Sequence, residues 1–146
     1  MFYDLPHAPA TSRNREPIRT ILHPWLKQSK HVLEIASGTG EHTAWLAPQY
    51  PNIQWSPSDC AIQNLPTIDA YNANNANVDS AIQLDVTESH WPVDTSFNLI
   101  FCVNMLHISP WETTLGLFAN ARSKINKNGV LYIYGPFNKD GKFTSS

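Results

Sequence analysis

The sequence predicts an α/β fold built on a parallel sheet with helices on both faces. Three observations carry this. Short, apolar, β-prone runs recur along the chain, most are separated from the next by a stretch of helical periodicity, and the first run stops at the glycine turn Ser37-Gly38-Thr39-Gly40. With 146 residues the chain fits a single domain.

The first thirteen residues contain Pro6 and Pro9 and no periodicity, which predicts an N-terminal arm, with the domain proper over 14–146. Asn14 is the expected cap of a first helix carrying Ile18, Ile21, Leu22, Trp25 and Leu26, which Pro24 should kink or shorten. Val32–Ala36 reads as a buried strand entering the glycine turn, and Glu41–Tyr50 as a short helix closed by Pro51. A second strand is expected over Ile53–Ser56, ending near Asp59. A helical segment with Ile62, Leu65, Ile68 and Tyr71 follows, and then the polar loop Asn72–Asn77. Ala81–Leu84 is the third strand, ending at Asp85, and the almost wholly apolar Phe97–Val103 the fourth. Thr113–Ile125 has the spacing of an amphipathic helix stopped by Asn128-Gly129, and Val130–Tyr134 is a fifth strand.

Composition narrows the function classes. No apolar run approaches the roughly 18 residues that cross a bilayer, and Met1–Arg15 has no apolar signal core, so neither membrane insertion nor export is expected and the expected location is cytoplasmic. Ten basic against twelve acidic residues give a net charge of −2, without the basic excess that a phosphate backbone demands; no nucleic-acid partner is expected. Cys60 and Cys102 read as reduced, mostly buried thiols. His7, His23, His31 and His90 lack metal-ligand spacing and HExxH is absent, so no metal site is expected.

A parallel α/β sheet binds ligands beyond the carboxyl ends of its strands, which places Glu34–Gly40 at the mouth of a site. Gly38 and Gly40 let the backbone turn sharply and come close to a ligand, and the following helix offers free N–H groups. A turn with only a structural purpose has the same pattern, and the dinucleotide fingerprint GxGxxG/A is incomplete because Thr43 holds the third small position. Asp59, 19 positions after Gly40, sits where an acidic group reaches a ribose diol. Asp85, after the third strand, can accept from an exocyclic amine such as that of adenine. Each aspartate alone also fits a solvated loop or a cap; together, after successive strands, they fit a nucleoside.

The run Val32-Leu33-Glu34-Ile35-Ala36-Ser37-Gly38-Thr39-Gly40 resembles the first motif of class I S-adenosylmethionine-dependent methyltransferases. More narrowly, the chain is similar to the domain-of-unknown-function 938 family, which includes the methyltransferase-like protein 26 group. The residues that carry this are Arg13–Ile18, Leu33–His42, Pro57–Asp59, Leu84–Val86, Asn104–Trp111 and Tyr134–Phe137, in order over nearly the whole chain. The resemblance implies a Rossmann-like sheet in the order 3-2-1-4-5 with S-adenosyl-L-methionine across the ends of the first four strands. It implies that Glu34 and the backbone at Ala36, Gly38 and Gly40 hold the methionine end, Asp59 the ribose and Asp85 the adenine edge. Because Ser146 falls about where the fifth strand has ended, closing strands 6 and 7 are expected to be absent.

His107, after the fourth strand, is the candidate base for a protonated acceptor, since an imidazole titrates near neutral pH; ordering a neighbouring loop is its alternative role. Asn104 either accepts from the sulfonium side of the cofactor or caps its loop. Trp111 is expected in the core or pocket wall, and His42 at a solvated surface position. The function implied is methyl transfer to an unidentified small-molecule acceptor, the alternatives being a non-catalytic S-adenosylmethionine-binding domain and, third, a nicotinamide-dependent oxidoreductase. An exposed fifth strand, or the tail Phe137–Ser146, is expected to favour self-association.

Overall fold

The computed structural model describes residues 5–142. Helix α1 (Pro9–Leu26) leads into strand β1 (His31–Ile35), helix α2 (Glu41–Leu46), β2 (Gln54–Asp59), α3 (Leu65–Tyr71), β3 (Ile82–Gln83), β4 (Phe97–Val103), α4 (Trp111–Ala121) and β5 (Ile125–Tyr134). All pairings are parallel, as the alternation of strands and helices predicts, and the order is β3-β2-β1-β4-β5, as the resemblance implies. No helix among the described residues is long and apolar enough to cross a membrane.

Alternation along the central strands divides the core into two layers. Val32, Leu99 and Phe101 face α1 and α2 and pack with Ile18, Leu22, Leu26, Leu46 and Trp55. Leu33, Ile35, Ile100 and Cys102 face the other way, against Leu117 and Ala121 of α4 and the buried Trp91. Trp55 meets Phe101 edge-on at 6.3 Å between ring centroids.

Several expected elements shift. Helix α1 begins five residues before Asn14, with Pro9 in its first turn, where a missing N–H costs nothing. Part of the expected arm is therefore helix, and residues 1–4 lie outside the described residues. Asn14 is not a cap: it is buried inside the helix on the stripe Thr11, Asn14, Ile18, Leu22 and Leu26. The helix runs two residues past Pro24 before Lys27 and Gln28 close its last turn. Helix α4 stops at Ala121 and Ile125 belongs to β5, paired with Phe97; sheet pairing overrides the helical spacing of that isoleucine. Asn128-Gly129, expected as the helix stop, instead falls within β5. There Asn128 is left-handed (φ 68°), and five positions of β5 pass two of β4. Cys60 is exposed rather than buried, whereas Cys102 lies in the core; both are free thiols.

Candidate functional site: a cavity at the carboxyl ends of the strands

Every strand of a parallel sheet releases its chain on the same side, so the loops after β1, β2, β3 and β4 surround one opening. It holds a cavity of about 590 Å³, within the range of small-molecule sites. Ala36, Gly38, Asp59, Asp85 and Asn104 all line it, with Leu84, Val86 and Met105 as apolar wall. Five of the expected cofactor-binding residues are therefore brought together from four strand ends.

The turn after β1 is held by its neighbour. The Ser37 N–H donates to Ser58 O at 2.7 Å and the Gly38 N–H to Asp59 Oδ2 at 2.9 Å. The other oxygen of Asp59 accepts from the Ala61 N–H (2.9 Å) and Asn64 Nδ2 (3.3 Å). Three of roughly four acceptor positions of the carboxylate are thus engaged inside the chain. Ala36 and Asn104, both non-glycine, adopt left-handed backbone at φ 55° and 57°; the Asn104 N–H donates to Tyr134 O at 2.9 Å. Strain of this kind, about 1–3 kcal/mol per residue, collects where a loop must aim at a ligand. Asp85 is exposed and its Oδ1 accepts from the Thr87 hydroxyl (2.7 Å) and N–H (2.9 Å); these two bonds, hydroxyl first, hold its carboxyl below the usual range.

The two glycines separate by role. Both are left-handed, but a Cβ on Gly38 would meet nothing within 4 Å, whereas one on Gly40 would come 2.8 Å from Ile68 Cα. Gly40 lets the turn pack on α3 and does not line the cavity; Gly38 faces open space in it.

Behind the wall lies a buried polar group. Glu34, 2% exposed, accepts from the Thr43 hydroxyl at 3.0 Å. Burial is the main cause that pushes its carboxyl up to about 7; bonds from Ser37 and Thr43 pull the other way, and the Asp59 charge adds to the rise. His42, expected at a solvated position, is buried instead. Its Nε2 bonds Asn14 Oδ1 at 2.7 Å, and burial pulls its pKa down to about 4 against the opposing pull of Glu41. His42 Nδ1 and Glu34 Oε2 are 3.9 Å apart, and with the imidazole held neutral this is no charged pair. Asn14 moved from cap to core for this bond: a helix-interior amide needs a buried partner, and His42 supplies it.

The start of α1 closes one side of the cavity. Ala8, Ala10, Thr11 and Asn14 line it, and Glu41 fastens the segment, accepting from the Ala8 N–H and the Thr39 hydroxyl on Oε2 (2.7 Å each), with His7 Nδ1 2.6 Å from Oε1. Partial burial raises the Glu41 carboxyl, but the bonds from Thr39, Ala8 and His7 outweigh it and hold it below its ordinary range. Tyr71 adds a bond from its hydroxyl to Pro6 O at 2.7 Å. The reading of the sequence missed Glu41, although its position directly after the turn and two residues from Thr39 marks it.

His107 does not line this cavity. It is exposed and borders a second groove, with Arg13, Tyr134, Gly135 and Pro136, that adjoins the first. Trp111, expected in a wall, is 68% exposed at the start of α4. Among the described residues no three or more His, Cys, Asp or Glu gather as metal ligands would.

Residues 5–146 match the family described as "Protein of unknown function (DUF938)". The chain belongs to that family. In fold, this DUF938 chain is similar to an O-methyltransferase family protein from Burkholderia thailandensis, at TM-score 0.71 and 13% identity over 85% of this chain and 38% of the other. It is also similar to the glycopeptide N-methyltransferase MtfA (TM-score 0.70, 19% identity, 87% of this chain and 53% of that one) and to MtfA complexed with (S)-adenosyl-L-methionine (TM-score 0.68, 17%, 82% and 52%). The chain spans about half or less of the length of these structures. At such identities the likeness shows the fold, a Rossmann-like methyltransferase sheet.

Proposed function

We propose that this DUF938 chain binds S-adenosyl-L-methionine in the strand-end cavity and transfers its methyl group to a small-molecule acceptor. One observation carries the reading: Gly38 faces open space in the cavity, with a carboxylate at the end of each of the next two strands. The residues fit the group. Gly38 and Ala36 would hold the methionine end; the remaining acceptor capacity of Asp59 would take the ribose diol, and Asp85 with Leu84 and Val86 the adenine. Glu34, not on the cavity wall, would act on the methionine ammonium through the field of its buried carboxyl. The finer resemblance to the methyltransferase-like protein 26 group rests on the same six blocks as the family resemblance, of which Asn104–Trp111 and Tyr134–Phe137, more specific than the glycine motif, contribute residues to the groove beside the cavity.

When bound, S-adenosylmethionine supplies a methyl carbon on a positively charged sulfur, whose loss to a nucleophile leaves a neutral thioether. The chain's part is alignment and exclusion of water, which supply most of the acceleration for such a transfer. Asn104, shared by cavity and groove, marks where cofactor and acceptor meet, and His107 would take the acceptor's proton on its free ring nitrogen.

Nicotinamide chemistry is disfavoured by Thr43. Its side chain is fully buried and bonded to Glu34, where the dinucleotide fingerprint needs a small residue for close helix–strand packing. Binding without turnover is the second reading, favoured by the exposure of His107 and Ile108 beside the groove. Calorimetric titration with S-adenosylmethionine, S-adenosylhomocysteine and NAD tests the proposal: the first two should bind one to one and NAD should not. Binding of NAD alone would overturn it.

A further inference from the structure

The block Arg13-Asn14-Arg15-Glu16-Pro17-Ile18, one turn into α1, carries four polar side chains, of which three meet a partner within the chain and the fourth, Arg13, is exposed. Asn14 bonds His42, Arg15 lies over the Trp45 ring at 4.9 Å, and Glu16 pairs with Arg19 at 3.8 Å on the surface. Arg13 makes no hydrogen bond or ion pair among the described residues, and it lines the groove beside the cavity.

That groove, also about 590 Å³, shares Ala10, Asn14, Asn104 and Ile108 with the cofactor cavity, so the two are continuous. Their charges differ. Two carboxylates, Asp59 and Asp85, line the cavity, whereas among the described residues no carboxylate lines the groove, whose ionisable groups are Arg13, His107 and Tyr134. A guanidinium in a concave site without a counter-charge is a fork for a carboxylate or phosphate. The Tyr134 ring and Pro136 offer an apolar wall for the body that carries it.

We propose that the groove is the acceptor subsite and that it selects an acceptor bearing a carboxylate or phosphate, held by Arg13. This rests on the methyltransferase reading and adds the class of acceptor to it. Arg13 specifies the anion, and Asn104, at the junction, lies on the path from anion to reacting methyl. Arg13 is a binding residue of the acceptor and has no part in holding the cofactor.

The test is a residue-resolved NMR titration of the chain with inorganic phosphate and, separately, benzoate, each with and without S-adenosylhomocysteine. Saturable shifts at Arg13, His107 and Gly135 are expected for at least one probe, undiminished by S-adenosylhomocysteine. The tighter probe identifies phosphate or carboxylate as the preferred group. Arg13→Gln should weaken that binding at least tenfold and leave S-adenosylhomocysteine affinity within twofold of the parent. Arg15→Gln, whose parent side chain sits on Trp45, should change neither. The proposal is overturned if neither probe shifts the groove, or if Arg13→Gln binds the probe as the parent does. It is equally overturned if S-adenosylhomocysteine displaces the probe and Arg13→Gln weakens S-adenosylhomocysteine tenfold, for then Arg13 holds the cofactor's own carboxylate. If S-adenosylhomocysteine does not bind the parent at all, the methyltransferase reading fails and the acceptor assignment falls with it, an outcome distinct from the others.

Discussion

The middle of the sheet, around β1 and β2, and its β4–β5 end are finished differently. Around β1 and β2, Asp59, Glu34, Thr43, His42 and Asn14 are buried and tied by hydrogen bonds to one another or to the turn, which leaves Gly38 open to the cavity. At the β4–β5 end, Ile108 is 76% exposed, Trp111 68%, Leu115 54% and Phe118 56%, and β5 is an edge strand. The first region is rigid and self-satisfied, as a site must be that holds an invariant ligand by geometry. The second keeps apolar surface in contact with water, as a region does that meets something variable.

The largest expected effect separates the two glycines of the turn after β1. Gly40→Val drives a side chain into Ile68 backbone at 2.8 Å and should cost about 3 kcal/mol or more, seen as collapse of the thermal transition. Gly38→Val meets open space and should cost only the left-handed strain of about 1–3 kcal/mol, yet abolish S-adenosylhomocysteine binding in calorimetry. Equal melting of the two variants would remove the distinction between packing glycine and ligand-facing glycine.

Next in size is Asp59→Ala, which removes the acceptor of the Gly38 N–H and, with it, the proposed contact to the ribose. Loss of a charge-assisted bond worth about 1.5–3 kcal/mol should weaken cofactor binding roughly ten- to a hundredfold. Asp85→Ala, at an exposed carboxylate beside apolar wall, should weaken it less. The reverse ranking in calorimetry would place the nucleoside differently.

The buried pair makes a pH prediction. Glu34 titrates near 7 in the fold against its ordinary 4.5, so between those values the folded state keeps a proton that the unfolded chain has lost. Its contribution therefore falls as pH rises through that window, by up to about 3 kcal/mol at about 1.4 kcal/mol per pKa unit. His42, lowered to about 4 from 6.5, acts with the opposite sign: its contribution is present above 6.5 and is lost as pH falls towards 4. The two nearly cancel between pH 4.5 and 6.5. Glu34→Gln should uncover the His42 slope, so the melting-temperature difference between variant and parent grows from pH 4.5 to 7. A difference independent of pH would contradict the raised carboxyl.

The smallest effect on stability is expected at the exposed end, where Trp111→Ala or Phe118→Ser should change it by only about 0.5 kcal/mol. We propose that the chain self-associates through the exposed β5, with the open face of α4 beside it; sedimentation of the parent will then depend on concentration, and that of a variant combining Trp111→Ala and Phe118→Ser will not. The expected role of the tail in this association falls partly outside the described residues.

The run of apolar, β-prone residues sufficed for β4 to the residue, because a buried parallel strand is apolar on both faces, whereas the strand order came from the family resemblance and not from periodicity. Periodicity failed where partners distant in sequence decide. Ile125 has helical spacing, but its place is set by Phe97 across the sheet. Asn14 has the chemistry of a cap, but its partner is His42, 28 residues on, and the same pairing buries a histidine expected in solvent. The strand-end aspartates were legible because topology alone brings them to one opening. The different tasks of Gly38 and Gly40 were not, since they depend on how close α3 comes to the turn.

The central claim, that the cavity around the carboxyl ends of β1 and β2 is a cofactor site, is tested most directly by backbone NMR of the chain titrated with S-adenosylhomocysteine. Saturable shifts with one midpoint are predicted at Ala36, Gly38, Asp59, Asp85 and Asn104, with Leu115 and Phe118 unmoved. Saturable shifts confined to the α4 face, or none at all, would contradict it.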